Sequence, residues 1–567
     1  MSAIAASAKP TDAISHPPAP FETHSVDNQA RPLEDYNVFL GDKALAEAVE
    51  REGGGWIRER AVAFGSRCGA AATIRDAEQA ERFSPQLRTH DRFGRRVDEV
   101  EFHPAYHALM ALAFESGIHA LPWTETRPGA HVARAALYIP FNQTNDGPAC
   151  PLTMTFASIP ALRSTPEIAK AWEPRILASA YDPAARPADQ KRAATIGMAM
   201  TEKQGGSDVR SNTSRATPLG NRGPGSAWEI VGHKWFCSAP MCDAFLVLAQ
   251  APGGLSCFLM PRWRPDGTRN AFHIQRLKNK LGNRSNASSE VELHGAFGWL
   301  LGEEGRGVPT IIEMVRHTRL DCALGSTAVT RHAVAQAINH CRDRAAFGRK
   351  LVAQPLMANV LADLAVESEA ATVLSLRVAR AFDEQAGNED KARFARIATP
   401  VAKYWICKRT AAVTYEALEC HGGNGFVEDS VMPRLYRDSP VNSVWEGSGN
   451  VQCLDLLRAV GRDPASLAAY FEELDLAKGK DARLDRFVAD LRKELSGLSN
   501  VETRARRLVE RLALALQGAL LVRHAPPFVA EAFLASRIDG DHGQAFGTLP
   551  AHIDTTSIVS RADPLAA

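Results

Sequence analysis

Residues 198–209 read Met198-Ala-Met-Thr201-Glu-Lys-Gln-Gly205-Gly206-Ser207-Asp208-Val209, and at this stretch the hydrophobic period of the chain changes. Before it, over about 36–194, apolar residues recur every three or four positions, as in 44–52 and in 104–116, where Pro104 suits a first helical turn. After it, over 196–301, short β-prone runs (228–232, 245–249, 257–260, 272–277 and 290–293) are separated by Gly, Pro and Asn. Beyond the Gly-rich turn 302–307 the 3.6 period returns. Long helices are predicted near 309–340, 355–386 and 391–420, the last ended by Gly422-Gly423, and another from about Asn450. The order predicts a chain that is mainly α with an all-β middle domain. It divides into a flexible arm over 1–34, a helical domain over 35–195, a β-barrel domain over 196–305, a helical bundle over 306–461 and a helical extension over 462–567.

At 567 residues the chain is long enough for about three or four domains. Its 66 Lys and Arg against 65 Asp and Glu leave a net charge of +1, which excludes a wholly basic nucleic-acid binder. No run approaches the roughly 18 uninterrupted apolar residues of a membrane span. Ten scattered cysteines are too dilute for a disulfide scaffold, and a reduced, cytoplasmic setting is expected. The Ala-, Ser- and Pro-rich start lacks the basic and then apolar order of a secretory signal.

Neither a G-x-G-x-x-G after a strand nor a P-loop occurs. His103 and His107 share a helical face, but no third ligand accompanies them, so no metal is expected. In 198–209, Thr201 and Ser207 offer hydroxyls while Gly205 and Gly206 bare their backbone N–H groups. Read alone, this is as readily a Gly-Gly turn. Trp235-Phe236-Cys237-Ser238 offers a flat apolar wall with one hydrogen-bonding group, though such a Trp is often simply core. In 442–451, Glu446 follows Val444 and Trp445 in a Gly-rich turn. Enclosure by those side chains and a ligand raises a carboxyl pKa toward that of a useful base, and the N–H groups of residues 447–450 open a helix suited to an anion. A plain capped turn is the alternative. Arg344-Ala-Ala-Phe347-Gly348-Arg349 and 418–426, with Gly422 and Gly423, each resemble a helix end when taken separately.

Taken in order, M-x-M-T-E-x-x-x-G-S-D-V, K-W-F-x-S, R-x-x-F-G, G-G-N-G-F and W-E-G-S-G-N resemble the acyl-CoA dehydrogenase family of flavoproteins over about residues 100–460. L-G-N-R-S-N-A-S (281–288) and P-V-N-S-V-W-E-G-S-G-N (440–450) are similar to its AidB-type branch, associated with the adaptive response to DNA alkylation. The resemblance implies FAD and an acyl-CoA-like thioester substrate. By it, Met198, Thr201, Gly206 and Ser207 meet the cofactor, and Trp235, Phe236 and Ser238 line its ring system. Arg344, Phe347, Gly422 and Gly423 reach the cofactor of a neighbouring subunit, implying a homotetramer, and Trp445, Gly447, Ser448 and Asn450 complete the site. Glu446 falls on the family's base, which removes the α-proton while hydride leaves for flavin N5; the alternative position for a base holds Thr318. Glu419 and Pro355 stand where many members carry Gln, which implies altered contacts at the far end of the cofactor.

The branch also implies DNA protection, or, as the alternative, a double-stranded-DNA-binding flavoprotein with vestigial dehydrogenase activity. Residues 456–525 hold 13 Lys and Arg against 10 Asp and Glu. The candidate face is Lys478, Lys480, Arg483, Arg492, Lys493, Arg504, Arg506, Arg507 and Arg511. With no recognition-helix chemistry in view, contact with DNA would be to the phosphate backbone.

Overall fold

A computed structural model describes residues 23–497 and 500–566. Helices, then a barrel, then helices follow one another along the chain. In the first part, helices Lys43–Arg51, Arg58–Cys68, Ala71–Arg82, Pro104–Ser116, Ala130–Thr144 and Ala149–Leu162 lead. Local chemistry sets their ends: Asp42 accepts the N–H of Leu45, and Pro104 occupies a first turn.

Within this helical part the structure inserts a hairpin that the 3.6-period reading does not anticipate. Strands β1 (Gln86–His90) and β2 (Arg96–Glu101) pair antiparallel. Their residues are mostly polar, so burial periodicity gives no signal. The turn does: Asp91 Oδ1 accepts the N–H groups of Phe93 and Arg95, and Gly94 adopts φ +80°.

The barrel strands are β3 (Ile196–Ala199), β4 (Arg215–Pro218), β5 (Ala227–Ser238), β6 (Ala244–Ala251), β7 (Gly254–Pro261), β8 (Phe272–Leu277) and β9 (Ser288–Leu301). Their order is β3-β6-β4-β5-β9-β7, with β8 on β9, and the β6–β7 pairing closes the sheet. Closure leaves few free edges. Its core of Trp228, Phe245, Phe258 and Phe272 continues into Phe156 and Trp172 of the preceding helices and into Ile311 and Met314 of the next.

Three long helices, Gly307–Asp343, Pro355–Glu384 and Glu389–Cys420, form the bundle. They share a second core with the first helical part and with helices Ala465–Asp475, Ala482–Ser496 and Val501–His524. The C-terminal helices are thus packed into the bundle. Among the described residues no helix is long and apolar enough to cross a membrane.

Of the arm expected over 1–34, residues 1–22 lie outside the described residues. The remainder is pinned rather than free. Asn28 Nδ2 donates to Ala345 O (2.9 Å) and its Oδ1 accepts from Ala345 N (2.8 Å). Arg31 pairs with Asp343 at 3.0 Å, and Leu33 is buried.

Candidate functional site

Where the barrel meets the bundle, the two apolar cores do not merge, and a cavity of about 870 Å³ lies between them. Val308, Ile311, Ile312 and Val315 from helix Gly307–Asp343 give it an apolar wall. Met198, Thr201, Gly206, Ser207, Phe236 and Ser238 border it from the barrel, and Trp445, Glu446, Gly447 and Ser448 from the turn before helix Gly449–Arg462. Ten of the sixteen cofactor and base positions drawn from the sequence therefore meet at one void.

Glu446 sits at φ +58°, a conformation that costs a residue with a side chain of order 1–3 kcal/mol. Gly447 follows at φ +94°, so the chain reverses and delivers the Glu446 side chain to the cavity. The main chain is held from beneath. Arg319 Nε donates to Glu446 O (3.1 Å), Lys403 Nζ to Trp445 O (3.0 Å) and Gly447 O (2.6 Å), and Gln452 Nε2 to Glu446 O and Gly447 O (3.0 and 2.8 Å). Asp455 pairs with Arg319 and Arg396, at 2.7 Å each. The Glu446 carboxylate itself receives one side-chain hydrogen bond, from Thr318 Oγ1 at 2.6 Å. Burial raises its pKa, opposed by the Thr318 hydrogen bond and by Arg319 and Lys403. Burial wins because both cations are hydrogen-bonded to main-chain carbonyls rather than to the carboxylate.

The loop after β3 is fixed by a buried ion pair, Glu202 with Lys234 at 2.8 Å. The Glu202 carboxylate also accepts from Thr213 N (2.7 Å) and Ser214 N (3.2 Å). Although burial opposes it, Lys234 and these donors hold its pKa well below the usual carboxylate range. A side chain on Gly206 would strike Thr201 Oγ1, so only glycine permits this close approach.

Six positions lie away from the cavity lining. Trp235 donates its backbone N–H to Thr201 O (2.8 Å), and its ring lies under Lys278 Nζ at 3.4 Å; Asn450 is exposed in the first helical turn. Arg344 donates to Asn28 O at 2.6 Å, and Phe347 is 99% exposed at φ +51°. Gly422 and Gly423 have open space around them. His103 caps its helix and His107 bonds Tyr181, while among the described residues no group of three or more His, Cys, Asp or Glu converges for a metal.

The nine cations of the C-terminal helices differ in how far they are already paired. Arg483 pairs with Asp481 and Glu531, Arg492 with Asp475 and Lys493 with Asp490. Arg504, Arg507 and Arg511 converge on the single carboxylate of Glu494, at 3.9, 3.8 and 3.2 Å. Lys478, Lys480 and Arg506 are exposed and have no ion-pair partner among the described residues.

The motifs disclose neither the Thr318 contact nor Arg319 and Lys403, because these side chains reach the 445–447 turn from other helices. Gln452 and Asp455 lie on the helix after the turn, where Gln452 bonds its carbonyls and Asp455 pairs with Arg319. Thr318→Val removes a donor that favours the ionised form, so the Glu446 pKa should move higher still. An infrared carboxyl titration of wild type and variant checks this; an unchanged or lowered value would show that the Thr318 contact is immaterial.

The sequence and the fold match known proteins. Residues 28–183 match the adaptive response protein AidB N-terminal domain, 197–296 the acyl-CoA dehydrogenase middle domain, and 305–461 the acyl-CoA dehydrogenase C-terminal domain. The chain is 46% identical over 521 residues to AidB of Escherichia coli (strain K12), covering 92% of this chain and 95% of that one. It is 30% identical over 485 residues to acyl-CoA dehydrogenase family member 11 of Caenorhabditis elegans, covering 79% and 77%. The crystal structure of Caenorhabditis elegans ACDH-11 in complex with C11-CoA superposes with a TM-score of 0.81 at 26% identity, covering 95% of this chain and 93% of that chain. With the fold and these relatives in agreement, the chain belongs to the acyl-CoA dehydrogenase family of oxidoreductases, in its AidB-type branch.

Proposed function

We propose that the protein is an FAD-dependent acyl-CoA dehydrogenase in which Glu446 takes the α-proton of an acyl thioester. The observation that carries this reading is a carboxyl of raised pKa held at the edge of an apolar cavity by a strained, braced turn. The residues present fit the cofactor. Apolar walls suit a flat ring system, and the hydroxyls of Thr201, Ser207 and Ser238 suit its polar edge. Asn283 on the wall carries a buried Nδ2 without a partner, which a polar ligand atom would satisfy. Arg210, Arg458 and Arg462 border the void as counter-ions for a pyrophosphate. When bound, FAD supplies the two-electron oxidant that accepts the β-hydrogen as hydride. The thioester as substrate class is supported by the C11-CoA bound to the Caenorhabditis elegans relative.

The work left to the chain is proton transfer and exclusion of water. Val308, Ile311, Ile312, Val315 and Val444 keep the space beside Glu446 apolar. Thr318 holds the carboxylate in one orientation. A base of raised pKa stays ionised only above that pKa, so the rate should rise with pH through it. Anaerobic mixing of the yellow holoprotein with a panel of acyl-CoA esters should bleach the flavin. Glu446→Gln should slow bleaching by about 10²–10⁴-fold; bleaching at the full rate would remove Glu446 from the role.

A homotetramer, or at least a dimer, belongs to the same proposal. Phe347, Leu356 and Phe426 are 99%, 85% and 79% exposed in the single chain, a costly set of apolar side chains to leave in water. A neighbouring subunit covering them would bring the segment of Arg344 and Phe347 to its cofactor. Phe347→Asp should shift sedimentation to smaller species; an unchanged profile would place the interface elsewhere.

A second reading, sequence-independent binding of double-stranded DNA linked to the alkylation response, is favoured by the convergence of Arg504, Arg507 and Arg511 on one carboxylate beside the unpaired Arg506. This cluster keeps net positive charge, whereas Arg483, Arg492 and Lys493 each have their own carboxylate. Duplex retention should fall steeply with salt, and Arg506→Ala with Arg507→Ala should weaken it and flatten that slope. Retention insensitive to salt and to both substitutions would dismiss the reading. Ten buried free thiols suit a reducing, cytoplasmic setting.

A further inference from the structure

The barrel side of the cavity carries a line of hydroxyls that ends on a half-buried cation, Lys280, which with Ser288 also borders the cavity. Lys280, between β8 and β9, donates to Asn286 O at 2.7 Å, Ser288 Oγ at 3.3 Å and Asn283 Oδ1 at 3.4 Å. An ammonium has three protons and no lone pair, so these acceptors exhaust it and make it the donor toward Ser288. Burial lowers its pKa, opposed by the neighbouring Cys150, Asp146, Glu81 and Asp438. Ser288 is the residue opposite Ser238 in the β5–β9 ladder, and their hydroxyl oxygens are 3.1 Å apart.

Those contacts set a direction. Ser288 accepts from Lys280, and among the described residues its only other side-chain hydrogen bond is the one with Ser238, so its proton is directed there. Ser238 is then left with its own proton and borders the void. The neighbouring Cys150 offers only a thiol, a weak acceptor that an oxygen or nitrogen of a ligand displaces.

We propose that Lys280 and Ser288 are positioning residues that fix the polarity of Ser238, so that its hydroxyl faces the cavity as a donor to an acceptor atom of the bound flavin. The inference rests on the FAD reading above. A cation at the far end polarises the line and strengthens the last donor. A donor aimed at a ring that gains electron density favours its reduced form. A Lys280 that merely ties down its loop through Asn286 O would leave the flavin's potential unmoved.

The test is an anaerobic spectroelectrochemical titration of the full-length holoprotein. Ser288→Ala keeps the backbone pairing and the other two Lys280 contacts, and should lower the midpoint potential of bound FAD. Lys280→Met should lower it in the same direction, the double variant should fall no further than the larger single effect, and Ser288→Thr should retain the wild-type value. Should Lys280→Met fail to fold, the Ser288 pair decides alone. A wild-type potential in Ser288→Ala with FAD bound one per chain would overturn the inference while leaving the FAD reading intact. A wild-type protein that takes up no FAD would overturn that reading first.

Discussion

The structure turns on how a carboxylate is kept at the edge of an apolar void without being neutralised by the cations around it. Arg319 and Lys403 both come close to the 445–447 turn, yet both are hydrogen-bonded to main-chain carbonyls, and Arg319 also pairs with Asp455. Hydrogen bonds involving charged groups are worth about 1.5–3 kcal/mol each, so several of them exceed the strain of a left-handed Glu446. Had either cation met the carboxylate directly, the pKa would have been drawn down, and the carboxylate would be too weak a proton acceptor for the role proposed for it. The same bracing fixes the turn and leaves the side chain to the Thr318 hydroxyl alone.

That void exists because barrel and bundle each complete a core of their own. Beneath it lies a buried polar rivet. Arg134 grips Asp321 with two bonds of 2.6 and 2.7 Å, donates to Ile118 O, and stacks on Phe156 at 3.6 Å, while Thr153 supplies a further donor to Asp321. Burying such a pair gives little net stability, but each guanidinium nitrogen and each carboxylate oxygen in it has a partner, and loss of one partner would strand the other charge. Its role is therefore geometric. Arg134 lies in helix Ala130–Thr144 and Asp321 in helix Gly307–Asp343, so the pair locks the first helical part to the helix that carries Thr318 and Arg319.

Much of this was legible in the sequence, and for identifiable reasons. Long helices announce themselves by period, by Pro355 at a first turn and by Gly422 at φ +60° after Cys420. The flavin-family motifs each lie within one turn or strand, so local order carries them. What escaped was either polar or non-local. The β1–β2 hairpin is held by Arg88 on Glu99 and Arg269 on Glu99, with little apolar surface to betray it. Thr318 meets Glu446 across 128 positions of chain, and Lys280 reaches Ser238 only through Ser288. A list of cations also conceals which are already paired, and that is why Arg483 and Arg506, alike in sequence, differ in what they can offer a phosphate.

The C-terminal helices have a second consequence for the site. Gln517 accepts from Trp405 Nε1 at 3.1 Å, Glu473 pairs with Arg377 and Arg523, and Arg537 pairs with Asp363 and Glu367. Trp405 lies two residues from Lys403 on helix Glu389–Cys420, the helix that braces the Glu446 turn. Removing everything after residue 462 would strip Leu508, Leu512, Leu516 and Leu520 from the shared core and leave Glu367 and Arg377 short of partners. Loss of DNA retention in such a truncation would then be indistinguishable from collapse of the bundle. Point substitutions on the exposed arginines separate the two, because they change surface charge without touching that core.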